Sequence, residues 1–240
     1  MSEKIALVTG ANKGIGREIV RQLAASGTQV WLGSRNLARG ETAAAELRAE
    51  GLNVQALQLD MNDPATFIAA HDALLQKFGR LDILVNNAGI NLQSFGAVTT
   101  AMTDAVLRET FEVNFFRLIE LTHCLLPLIR QSPAGRIVNL SSVLASQTLQ
   151  ADPNNSMRDF RTPAYDMSKT ALNSYTIHLA AELRDTTIRV NAAHPGWVKT
   201  ELGGEEAPLD VTEGAKTAVA LAGDDVPNGA YIHLGKPLPW

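Results

Sequence analysis

The sequence predicts one α/β domain: a doubly wound parallel sheet of about seven strands with helices on both faces. Three observations predict it. Short apolar runs alternate with longer helical stretches, the pattern of repeated βαβ units. The runs are nearly continuous in apolar residues, as strands buried on both faces are. The chemically distinctive residues fall just after these runs or on a helix beside one, where ligands bind in open α/β sheets.

The elements follow in order. An apolar run over 5–8 precedes a helix over 14–25. A run over 30–32 precedes an Ala/Glu-rich helix over 37–50. A run over 54–59 precedes a helix opening at Pro64. The run 83–85 precedes two helical stretches, over 102–112 and 114–130. Then come 137–140, a helix over 163–183 and a last run over 188–192. Thr162-Pro163 marks a helix start, with a hydroxyl N-cap and proline at the first helical position. The segment 146–162 reads as a loop longer than ordinary connections, and 200–210 as a second irregular segment. With no repeat, low-complexity tract or linker, residues 1–240 are expected to form a single domain.

Composition narrows the function. The 240 residues are 45% apolar and 19% charged, which is ordinary for a globular protein. The net charge of −4 comes without a block of one sign. That is no footprint for nucleic acid or an anionic membrane. A single cysteine, Cys124, excludes an internal disulfide and a multi-cysteine metal site. Its apolar neighbours predict a buried core thiol. No metal site is expected. The N-terminus lacks a leader pattern and no run is long enough to span a membrane, so a cytoplasmic location is the expectation.

After the first strand comes Thr9-Gly10-Ala11-Asn12-Lys13-Gly14-Ile15-Gly16, then a helix. Glycines there serve either a structural turn or a ligand that must approach the backbone closely. The placement favours a pyrophosphate held at the helix N-terminus. An NAD site usually carries an acid after the second strand. Here stand Gly33-Ser34-Arg35-Asn36. A guanidinium pairs with a 2′-phosphate that a carboxylate would repel, and Lys13 adds a second cation. NADPH preference is the expectation. Asp60 follows the third strand and either accepts from an adenine amino group or caps a turn.

Tyr165 and Lys169 lie one helical turn apart on one face. A phenol ordinarily titrates near 10; a nearby ammonium lowers that value, and in protonated form the phenol acts as a general acid. The fourth strand runs into Asn86-Asn87-Ala88-Gly89, and the fifth into Ser141-Ser142. Asn114, in an apolar helical stretch, either holds a water or kinks the helix.

Together these residues resemble the short-chain dehydrogenase/reductase family, in particular its carbonyl-reductase-like members. The resemblance rests on Thr9-Gly10-x-x-x-Gly14-x-Gly16, Asn86-Asn87-Ala88-Gly89, Asn114, Ser142, Tyr165-x-x-x-Lys169 and His194-Pro195-Gly196-Trp197-Val198-Lys199-Thr200. It implies a Rossmann-like fold and an NADPH-dependent oxidoreductase acting on a small carbonyl or alcohol. Tyr165 would be the acid/base. Lys169 would lower its pKa and hold the nicotinamide ribose. Ser142 would orient the substrate oxygen, and Asn114 would hold a relay water. The cofactor would meet Gly10, Asn12, Lys13, Gly14, Ile15, Gly16, Arg35, Asp60, Met61, Asn87, Ala88, Gly89, Tyr165, Lys169, Pro195, Gly196, Val198 and Thr200.

The 22 residues between Ser142 and Tyr165 exceed the compact pattern. Such an insertion shields helices used for assembly, so a monomer or weak homodimer is expected. The short chain after Thr200 predicts an open pocket tolerant of varied carbonyls. Trp240 either lines it or covers the core. The competing expectation is a non-catalytic NADPH-binding sensor or scaffold.

Overall fold

The computed structural model describes residues 3–240. β1 (Ile5–Val8) is wholly buried, and its side chains divide by alternation. Ala6 and Val8 enter one core; Ile5 and Leu7 enter the other. Two hydrophobic layers on one strand require helices on both faces. α1 (Gly14–Ala25), α2 (Leu37–Ala49) and α8 (Val211–Leu221) cover the first face. α3 (Ala65–Phe78), α5 (Arg117–Ile129) and α7 (Pro163–Glu182) cover the second.

The other strands are β2 (Gln29–Ser34), β3 (Val54–Gln58), β4 (Ile83–Asn86), β5 (Arg136–Leu140), β6 (Arg189–Ala193), β7 (Tyr231–His233) and β8 (Lys236–Pro237). Their order is β3-β2-β1-β4-β5-β6-β7-β8. All pairs are parallel except the last, in which His233 faces Lys236. The sheet thus has seven parallel strands, in line with the about seven expected, and a short antiparallel eighth. Lys236–Pro237 is a two-residue hairpin return, too short to leave a hydrophobic pattern. The chain winds outward from β1 through β2 to β3, then resumes on the other side at β4. That reversal opens a crevice at the carboxyl ends of β1 and β4.

Buried polar groups tie the centre together. Asn86 Nδ2 donates to Asn139 Oδ1 at 2.9 Å and to Thr122 Oγ1 at 3.0 Å, and Asn139 Nδ2 donates to Thr176 Oγ1 at 2.9 Å. β4, β5, α5 and α7 are pinned to one another directly beneath the crevice.

Two local expectations are corrected and a third is refined. The segment 146–162 is not all loop: α6 (Gln147–Ala151) and a 3₁₀ turn over Arg158–Phe160 lie within it. Ser146 starts α6 by accepting from Leu149 N, a cap that the surrounding polar residues masked. The two helical stretches expected over 102–112 and 114–130 are α4 (Asp104–Phe111) and α5, and a π-helical turn (Glu112–Phe116) joins them in place of a simple break. Thr162 does not cap α7 through its hydroxyl. Its hydroxyl and its amide both donate to the Asp166 carboxylate, so the cap runs in the reverse direction.

Cys124 is half-buried rather than fully enclosed, and burial pushes its thiol up, away from reactivity. Among the described residues no helix is long and apolar enough to cross a membrane.

Candidate active site

One cleft of about 890 Å³ opens at the carboxyl ends of the strands. This is the size range of cofactor and small-molecule sites. Every residue predicted to bind cofactor or substrate lines it, from Gly10 to Thr200, with the exception of Asn114.

The glycine loop forms the floor. Thr9 N donates to Val85 O at 3.0 Å, and Thr9 Oγ1 accepts from Asn87 N and Ala88 N at 3.0 and 2.9 Å. Asn87 Nδ2 returns to Thr9 O at 2.8 Å and to Gly10 O at 3.2 Å. The loops after β1 and β4 are therefore strapped together. Their closeness dictates the glycines. A Cβ on Gly10, whose φ is +61°, would sit 3.0 Å from Ala88 Cα; one on Gly16 would sit 2.4 Å from Asn87 Nδ2 and 2.8 Å from Gly10 O. The first amides of α1, at Gly14, Ile15 and Gly16, have no acceptor inside the helix and line the cleft. This donor set fits a pyrophosphate.

Arg35 follows β2 and lines the cleft, and no carboxylate directly precedes it. Lys13 is exposed and pairs with Glu201 across the cleft mouth. With Lys13 paired to Glu201, it is the Arg35 guanidinium that fits a phosphorylated ribose. Asp60 Oδ1 accepts from Asn62 N at 3.0 Å, which is the turn reading, while the residue still lines the cleft beside Met61.

The second end holds the Tyr–Lys pair. Tyr165 and Ser142 are each 9% exposed and Lys169 is 3% exposed. Burial pushes the Tyr165 phenol up to about 12; hydrogen bonding with Ser142 pulls it down and the Asp166 carboxylate adds to the rise. Lys169 Nζ donates to Leu140 O at 2.8 Å and stands 5.7 Å from the Tyr165 ring centre. Burial lowers Lys169 to about 8. Lys169 is not among the groups that move the phenol; burial sets the direction of its shift. The phenol is thus a neutral acid at pH 7.

Asn114 lies outside the cleft wall and is fully buried on the π-helical turn. Its Oδ1 accepts from Ile90 N at 2.8 Å, and its Nδ2 donates to Ile90 O at 2.9 Å and Ser168 Oγ at 3.0 Å. The widened turn lets the amide reach the strand loop opposite. A Cβ on Gly89 would come 3.2 Å from Asn114 Oδ1 and 3.4 Å from Lys169 Nζ, so the glycine lets the two converge.

The expected site residues leave out Phe95 and Phe160, and name Trp197 and His194 only within the 194–200 motif. Phe95, Phe160 and Trp197 pack edge to face at 5.4 to 6.1 Å and line the cleft. Phe95 and Phe160 are on irregular segments, where an aromatic residue carries no periodic signal. His194 also lines the cleft. Burial, with His233 adjacent, lowers it to about 3, so it is neutral, and its Nδ1 accepts from Val143 N at 3.2 Å. Trp240 is not in the cleft wall; it stacks on Tyr231 at 5.3 Å.

A nucleotide cradle beside a buried Tyr–Lys pair, on a doubly wound sheet, defines a dinucleotide-dependent oxidoreductase. The family model described as short chain dehydrogenase matches residues 4–209. The chain is 35% identical to short-chain dehydrogenase/reductase 1 of Saponaria officinalis, over 92% of this chain and 90% of that one. It is 34% identical to carbonyl reductase [NADPH] 1 of Rattus norvegicus, over 98% of each. The NADPH-bound carbonyl reductase from chicken fatty liver superposes with a TM-score of 0.85 at 26% identity, over the whole of both chains. This chain belongs to the short-chain dehydrogenase/reductase family.

Proposed function

We propose that this protein is an NADPH-dependent carbonyl reductase with Tyr165 as its general acid. The observation that carries the reading is the neutral, buried Tyr165 phenol in the same cleft as Ser142, Lys169 and a phosphate cradle flanked by Arg35. The names of the relatives point the same way.

The amides of Gly14, Ile15 and Gly16 would hold the pyrophosphate, and Arg35 the 2′-phosphate. The loops at Ala88–Gly89 and Pro195–Thr200 would seat the nicotinamide end. When bound, the cofactor supplies the hydride.

The chain's own groups manage the oxygen and the proton. Ser142 Oγ donates to the substrate carbonyl oxygen and orients it. Tyr165 Oη gives its proton to that oxygen as negative charge develops there. Lys169, one turn on, stabilises the phenolate that results. Asn114 Oδ1 accepts from Ile90 N and has one further acceptor position, which would take a relay water. Phe95, Phe160 and Trp197, together with neutral His194, make the substrate end apolar and suited to an uncharged carbonyl.

Initial rates of NADPH and NADH oxidation with aldehydes, ketones and diketones test the reading, with Tyr165→Phe alongside. The expected result is turnover with NADPH that falls by ~10²-fold or more in the variant while NADPH still binds. NADPH binding without turnover of any carbonyl, in parent and variant alike, would favour a sensor.

A further inference from the structure

Ser142 is expected to aim its hydroxyl, yet it stands where β5 gives way to a 3₁₀ turn (Val143–Ala145), a place where main-chain direction changes. Its neighbours are held by known means. Ser141 N donates to Ala193 O at 2.8 Å, and Ser141 Oγ donates to Asn173 Oδ1 at 2.6 Å. Val143 N donates to His194 Nδ1. The Ser142 carbonyl accepts from Ala145 N at 2.8 Å within the turn, and also from the hydroxyl of Tyr231, a residue 89 positions away.

Tyr231 lies on β7 and is 1% exposed. It is not part of the cleft wall. A phenylalanine would fill the same core volume; the hydroxyl is a polar atom whose burial is offset only by a partner. Burial raises its pKa, which keeps it a donor. Its ring is braced by the stack on Trp240, whose carbonyl accepts from Thr148 N at 3.0 Å. The last strands are thereby closed back onto the segment that carries Ser142.

We propose that Tyr231 is a positioning residue for this reaction: its hydroxyl fixes the Ser142 main chain and so the direction of the Ser142 hydroxyl toward Tyr165. The proposal rests on the role assigned to Ser142 above. Small displacements of an orienting group are costly, because rate depends steeply on the geometry of approach.

The test compares Tyr231→Phe, Ser142→Ala and the double variant, with Tyr175→Phe, a half-buried phenol on α7, as control. Readouts are kcat, KM, the NADPH dissociation constant and Tm. Tyr231→Phe is expected to lower kcat by roughly 5- to 20-fold with KM and NADPH binding unchanged. Ser142→Ala should lower kcat further, and adding Tyr231→Phe to it should change nothing, because the group being aimed is gone. Tyr175→Phe should keep the parent kcat.

Parent-like kcat in Tyr231→Phe beside a crippled Ser142→Ala would overturn this proposal alone, even with a lower Tm. So would an equal further loss in the Ser142→Ala background. Parent-like kcat in Ser142→Ala would remove the role of Ser142 itself, and this proposal with it.

Discussion

The Lys169 ammonium donates to the Leu140 carbonyl at 2.8 Å while standing 5.7 Å from the centre of the Tyr165 ring. The cation is thus anchored to the end of β5, within reach of the phenol but committed elsewhere. This arrangement has a stability cost. Burial lowers Lys169 from 10.5 to about 8, so the stability that its neutral form contributes is present above 10.5 and lost as pH falls through 8.

At pH 7 that cost is at most ~3 kcal/mol, partly offset by the Leu140 bond. Lys169→Met is therefore expected to keep or raise Tm at pH 7 while turnover falls by ~10²-fold or more. Thermal melts and initial rates on the same preparations check this. A large drop in Tm would mean that the ammonium is structural.

Gly16→Ala places a Cβ against the Asn87 amide and the Gly10 carbonyl. The Asn87 amide is not free to swing away, since it straps Thr9 and Gly10. The variant should lose ~1–3 kcal/mol of stability and bind NADPH at least several-fold more weakly. Urea denaturation and fluorescence titration measure the two effects separately.

Arg35→Ala should raise the NADPH dissociation constant roughly tenfold, the worth of one charge-assisted hydrogen bond, and leave NADH nearly unchanged. Calorimetric titration with both cofactors, at low and moderate salt, reads this directly. Equal losses for the two cofactors would place Arg35 away from the 2′-phosphate.

His194 sets an acid limb of stability. Its folded value of about 3 lies below the ordinary 6.5, so its contribution is present above 6.5 and lost as pH falls toward 3. By pH 5 the loss amounts to ~2 kcal/mol. Asp166 has the opposite sign. Burial raises its carboxyl from 3.8 to about 6, so its contribution is present below 3.8 and lost as pH rises through 6. Denaturation of the parent and His194→Gln at pH 7.5 and 5 isolates the histidine, because Asp166 is common to both. The parent should lose more stability between the two pH values than the variant does.

Much of the site was legible because its signals are local. The glycine loop needs consecutive residues near one strand end, and Tyr165 and Lys169 need only one helical turn. The cleft gathers all of them. Asn114 was legible as a residue type out of place in an apolar stretch; the π-helical turn that aims it at Ile90 was not, because the partner lies 24 residues away. Phe95 and Phe160 escaped notice for the same reason, since they meet Trp197 only through the packing of separate loops.

The sequence by itself determined the alternation of strands and helices, the placing of a ligand site at the carboxyl ends of the strands, and the identity of the candidate groups for binding phosphate and moving a proton; the crevice between β1 and β4 came with the strand order. Only the tertiary structure decided their state. The Tyr165 phenol is a neutral acid at about 12, Lys169 leans on Leu140, and Tyr231 grips the main chain of Ser142. Propensity and spacing act along the chain. Burial and long-range hydrogen bonds, which set protonation and direction, exist only once distant segments have been packed together.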